Sequence, residues 1–94
     1  MSAAGSTARA FRVHGLVQGV GFRYWAHHQA RALGLRGTVR NCRDGTVEIE
    51  FAGPQHAVEE MCRRLQIGPP AADIRKLEEL PPPQQLPESF VIGF

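Results

Sequence analysis

The sequence has one lysine, Lys76, and two cysteines, Cys42 and Cys62, in 94 residues. With its only lysine outside any glycine run, the chain carries no P-loop, whose lysine follows the glycines so as to reach a nucleotide's phosphates. Two thiols cannot build a disulfide framework, and in a chain without a secretory leader they point to reduced side chains in the cytoplasm. No leader is expected, because the stretch from Met1 to Arg9 is small and polar, with no apolar segment. Residues 1–8 are therefore read as a flexible N-terminus. No apolar run approaches the roughly 18 residues a membrane span needs, so no membrane partner is expected. Internal repeats and low-complexity segments are also missing.

What is present suffices for a core. Leu, Ile, Val and Phe number 23 of 94 residues, above the roughly 20% below which disorder is expected. The length fits a single domain over residues 9–94 with one modest core. Charge is unevenly spread although the net is only +2. Residues 1–47 carry seven arginines against one aspartate, a balance of +6, and residues 48–94 carry four basic against eight acidic side chains, a balance of −4. A basic first half would attract anions, although arginines on solvated strand and helix faces give the same balance.

Phe11 and Val13 alternate with Arg12 and His14, the period of a strand with one buried face over Ala8 to His14. Gly15, Gly19 and Gly21 then fall within seven residues, which demands a tight loop with exposed backbone. From Phe22 the spacing becomes helical through Trp25, Ala26, Gln29, Ala30 and Leu33, with Gly34 as the stop. Leu35 to Cys42 and Thr46 to Ala52 alternate again and form a hairpin around Arg43-Asp44-Gly45. A two-residue loop would put their apolar faces on opposite sides, whereas a three-residue loop sets Val39 opposite Ile49 and Asn41 opposite Val47. The second register is expected, with Asn41 on the core side at the strand's end.

Pro54 can open a second helix, whose apolar stripe is Val58, Met61, Cys62 and Leu65 and whose ion pairs are Glu59 with Arg63 and Glu60 with Arg64. Gly68-Pro69-Pro70 ends it. Ala72 to Leu80 is read as a strand, residues 81–87 as a proline-rich loop, and Ser89 to Phe94 as a short terminal strand. The order βαββαβ is that of the ferredoxin-like α+β sandwich: an antiparallel sheet, both helices on one face, and here a short C-terminal extra strand.

In that topology the third strand lies between the first and second, which run the same way. The glycine loop, the first helix's start and Asn41 then meet at one end of the sheet, two strand spacings or roughly 10 Å apart. The loop Gly15, Leu16, Val17, Gln18, Gly19, Val20, Gly21 feeds into a helix N-terminus, so its amides and the helix dipole can converge on an anion. Arg23 in the first turn could reach the same anion. Spacing alone leaves two readings open: a phosphate cradle, or a tight turn beside a solvent-facing arginine.

Taken as a string, Gly15-Leu16-Val17-Gln18-Gly19-Val20-Gly21-Phe22-Arg23, followed by Gly37, Val39, Asn41, Asp44-Gly45 and Gly53, resembles the acylphosphatase signature, VQGVGFR and then G-x-V-x-N-x-x-D-G. The resemblance covers residues 10–54 strongly and the remainder weakly. It implies the split βαβ sandwich and hydrolysis of acyl phosphates without metal or cofactor. It also implies Arg23 and Asn41 as the catalytic pair, with the loop from Gly15 through Phe22 and Arg23 holding phosphate. The chemistry suits so sparse a set of groups, because the departing carboxylate has a conjugate acid of pKa about 4 and needs no protonation. Positioning and charge neutralisation are then the main requirements. Two departures from the pattern are Leu16, where relatives often carry a basic residue, and Phe94, where relatives often end in Tyr.

His14, His27, His28 and His56 have no spacing that converges with the cysteines on a metal. Cys42 is read as a packing residue, and Phe22 and Trp25 as core. The glycine spacing also occurs in dinucleotide-binding folds, but a hairpin follows the first helix here instead of a parallel strand. RNA-recognition domains share the element order but stack bases on exposed strand aromatics, whereas Phe11 and Phe51 alternate with the core. Acylphosphatase-like domains that open hydrogenase-maturation proteins belong to much longer chains. The expectation is a free-standing, monomeric enzyme acting on a small acyl phosphate and releasing inorganic phosphate, without nucleic acid.

Overall fold

The computed structural model describes residues 6–93. The chain runs β1 (Ser6–Leu16), α1 (Phe22–Ala32), β2 (Arg36–Asn41), β3 (Val47–Pro54), α2 (Gln55–Leu65), β4 (Asp73–Leu80) and β5 (Phe90–Ile92). The strands form one sheet in the order β4-β1-β3-β2-β5, with β3 between β1 and β2 as the topology required. Neighbours from β4 to β2 are antiparallel. The short β5 instead lies parallel to β2, pairing Gly37 with Phe90 and Val39 with Ile92, so the ferredoxin-like sheet is mixed and not wholly antiparallel.

Period-2 patterning decides which side of the sheet each residue faces. Phe11, Val13, Val39, Val47, Ile49 and Phe51 turn one way and are buried against Phe22, Ala26 and Ala30 of α1 and Ala57, Val58, Met61 and Leu65 of α2. Phe90 closes this core from the tail strand. Trp25 packs against its margin, only partly buried. The opposite face carries a ladder of charges directly across four strands: Arg40 opposite Glu48, Glu48 opposite Arg12, and Arg12 opposite Glu78. Arg12 and Arg40 both donate to Glu48, whose carboxyl is held below its ordinary pKa, first by the Arg12 hydrogen bond and then by Arg40's.

Several boundaries differ from the sequence reading. β1 starts at Ser6, and Ser6, Thr7 and Ala8 pair with Pro54, Gly53 and Ala52, so that part of the expected flexible tail is strand. Residues 1–5 and Phe94 lie outside the described residues. Pro54 caps α2 instead of forming its first turn. On α2, Glu60 accepts from both Arg63 and Arg64, while Glu59 accepts from Gln55. A residue three positions on is as near as one four positions on, so Glu60 takes both guanidiniums. The hairpin register holds as expected, Val39 opposite Ile49 and Asn41 opposite Val47. Helix α1 is terminated by Gly34, one residue past its C-cap Leu33; φ at Gly34 is 73°, and Leu35 N donates to Ala30 O at 2.9 Å.

Candidate active site

The loop between β1 and α1 takes its shape from two glycines in the left-handed region, Gly19 at φ 75° and Gly21 at φ 79°. Gly21 is also the N-cap of α1, with no side chain capping the amides behind it. Those amides and the positive end of the helix dipole face outward at the sheet's end. Gly15 does something different. It sits at φ 129° against the edge strand, where a Cβ would lie 2.0 Å from the Asp73 carbonyl oxygen. The β1–β4 register shifts between His14 and Gly15, and a glycine there lets the two backbones close.

A cavity of about 110 Å³ opens at this end, lined by Val17, Gly19, Gly21, Phe22, Arg23, Tyr24 and Asn41. The arginine and asparagine singled out in the sequence therefore share one pocket with two of the loop glycines. Of the other loop residues Val17 also lines it, whereas Gly15, Leu16, Gln18 and Val20 do not. Gly15 and Leu16 pair with Ile74 and Asp73 in the sheet, and Val20 packs on the core.

Gln18 reaches away from the loop, and its side-chain amide donates to Cys42 O at 2.8 Å and to Thr46 O at 2.9 Å. These carbonyls flank the β2–β3 turn, so one side chain ties the loop to the strand end bearing Asn41. The turn is braced from within as well. Thr46 donates through its hydroxyl and its amide to Asp44 Oδ1, at 2.6 and 3.0 Å, and both bonds hold the Asp44 carboxyl below its ordinary pKa.

Arg23 is held by the tail. Its Nη1 donates to Gly93 O at 3.1 Å, and Gly93 N in turn donates to Val39 O at 2.7 Å. The guanidinium is thus referenced to β2, the same strand that ends in Asn41.

The family model described as Acylphosphatase matches residues 9–92. The chain belongs to the acylphosphatase family. An acylphosphatase of Nitrobacter hamburgensis is 52% identical over 69 residues, covering 73% of this chain and 70% of that one. The crystal structure of acylphosphatase from Bacillus subtilis superposes with a TM-score of 0.83 at 31% identity, covering 93% of this chain and 98% of that one. The HypF of T. kodakarensis aligns with a TM-score of 0.79 at 33% identity, but this chain spans only 12% of its length.

The remaining candidates do not converge on acylphosphatase chemistry. A larger, more open concavity of about 280 Å³ is lined by Gln66, Ile74, Arg75, Lys76 and Leu77 and shares no residue with the first. Its Arg75 is paired with Asp73 at 3.0 Å. Among the described residues no three His, Cys, Asp or Glu side chains group as metal ligands, and both cysteines are free. His14 faces Glu78 at 2.9 Å across β1 and β4. No helix of the described residues is long and apolar enough to cross a membrane. Sequence reasoning missed Tyr24, the Gly93 carbonyl and the Gln18 side-chain bonds. Only Tyr24 had a local signal, its place in the first helical turn directly after Arg23.

Proposed function

We propose that this acylphosphatase binds the phosphoryl group of an acyl phosphate between the β1–α1 loop amides and the Arg23 guanidinium, and that Asn41 orients the attacking water. One observation carries the reading: Gly19, Gly21, Arg23 and Asn41 line a single cavity. Amides at a helix start supply donors whose orientation is paid for in folding, so they need no reorganisation as negative charge shifts on the phosphoryl oxygens. Arg23 adds a planar, permanently charged donor suited to two oxygens at once. Asn41 can accept a hydrogen bond from water through its carbonyl and donate to a phosphoryl oxygen through its amide nitrogen.

Water attacks phosphorus in line with the bond to the acyl oxygen, and that bond breaks to release a carboxylate and inorganic phosphate. The leaving group is a weak base, so no acid is required opposite the nucleophile. A carboxamide is too weak a base to take the water's proton, which passes to a phosphoryl oxygen of the substrate. The enzyme works as a cytoplasmic monomer, without metal or cofactor and without a nucleic-acid or membrane partner. Burial of Phe11 and Phe51 in the core supports the exclusion of RNA, since neither ring is open to stacking.

The test is hydrolysis of benzoyl phosphate in the presence of EDTA, followed by release of inorganic phosphate. Turnover that survives the chelator is expected. An inert protein, or turnover restored only by added divalent cation, would refute the reading.

A further inference from the structure

Tyr24 is the one large exposed side chain lining the cavity that the hydrolytic scheme leaves unused. It lines the pocket beside Arg23 and Asn41, yet it stays 65% exposed. Phe22, two positions earlier, is buried and forms a tilted ring pair with Trp25, centroids 5.5 Å apart. Helical positions two apart are turned by about 200°, so with Phe22 directed into the core Tyr24 is directed away from the sheet. Helical side chains also lean toward the helix's N-terminus, which at α1 means toward the pocket's opening.

The cavity's lining sets where the substrate's two halves go. A pocket of about 110 Å³ whose lining includes Gly19, Gly21, Arg23 and Asn41 is the phosphoryl side of the site. The acyl group must then project through the opening, past the tyrosine.

We infer that Tyr24 forms the acyl-binding edge of the site and selects acyl phosphates with a flat, unsaturated acyl group, which its ring can cover. This rests on the hydrolytic reading above and extends it to the side of the substrate that the cradle does not touch. An aromatic pair contributes through offset or edge-to-face contact, which a small aliphatic acyl group cannot supply.

The experiment compares kcat/KM for benzoyl and acetyl phosphate in the wild type, Tyr24→Phe and Tyr24→Ala, with circular dichroism to confirm folding. Alanine at an exposed helical position keeps α1 intact. Tyr24→Ala should lower the benzoyl-to-acetyl ratio of kcat/KM roughly three- to tenfold, and Tyr24→Phe should retain it. An unchanged ratio in Tyr24→Ala would overturn the inference, as would an equal fall in Tyr24→Phe, which would assign the effect to the hydroxyl. A wild type inert toward both compounds would instead overturn the hydrolytic reading, and this inference with it.

Discussion

Replacing Gln18 with Leu removes both donors that join the glycine loop to the turn after Asn41, while keeping a side chain of similar size. The bonds are 2.8 and 2.9 Å long and partly buried, and each is worth about 0.5–1.5 kcal/mol net. Neither carbonyl is left without a donor, because Gly45 N still reaches Cys42 O and Cys42 N still reaches Thr46 O. The loss of stability should therefore be about 1–3 kcal/mol, without a further penalty for an unsatisfied buried acceptor. The kinetic loss should be larger. With the tie gone, the end of β2 can shift relative to the loop, and a displacement near 1 Å can cost on the order of 100-fold in rate. We expect kcat for benzoyl phosphate to fall about 10- to 100-fold. The inhibition constant of inorganic phosphate should move less than about threefold, since the loop glycines and Arg23 are retained. Steady-state kinetics, product inhibition and thermal melts on the same sample separate these effects. A lowered melting temperature with unchanged kcat would make the tie purely structural. A parallel loss of phosphate affinity and kcat would place its effect on the cradle instead of Asn41.

Arg23→Ala should raise the phosphate inhibition constant at least about tenfold and lower turnover with it, since charge-assisted hydrogen bonds are worth roughly 1.5–3 kcal/mol each; unchanged phosphate inhibition would refute the cradle. For Asn41→Ala the expectation is a fall in kcat with KM nearly constant, and a rise in KM alone would mean that Asn41 binds substrate. Gly15→Ala should destabilise the fold by about 2–4 kcal/mol through the clash with the Asp73 carbonyl and the unfavourable φ, while the folded enzyme keeps its phosphate affinity; a variant as stable as wild type would contradict the close β1–β4 approach. Glu48 has a folded-state pKa below its unfolded one, so its contribution is complete above the unfolded value of about 4.3 and lost as pH falls through the folded one. The melting-temperature gap between wild type and Glu48→Ala should thus be widest near neutral pH and shrink below about pH 4, and an equal gap at pH 7 and pH 3 would argue against the Arg12–Glu48–Arg40 ladder.

The hairpin and the loop illustrate two kinds of legibility. Register between β2 and β3 could be worked out because alternation has a period of two, and only one loop length keeps Val39 and Ile49 on the same face. Gly34 ended α1 as expected, because a left-handed residue is a local requirement with few solutions. The three glycines of the loop looked equivalent in the string but are not. Gly19 and Gly21 provide turn geometry in open space, whereas Gly15 is required by a strand nearly sixty positions later in the chain. Likewise the expected Glu59–Arg63 pair followed a sound local rule, yet Glu60 took Arg63 because it stood between two guanidiniums.

By itself the sequence determined the elements, their faces and the position of a donor-rich loop at a helix start, because periodicity, glycine conformation and capping act over a few residues. It also carried the motif that marks the acylphosphatase family. Only the tertiary structure decided that Gln18 holds the turn beside Asn41, that the tail carbonyl of Gly93 positions Arg23, that β5 joins the sheet in parallel, and that Tyr24 stands beside the pocket. Each of these rests on which strand lies next to which, and a side chain's pattern states the direction it faces but not the partner it meets there.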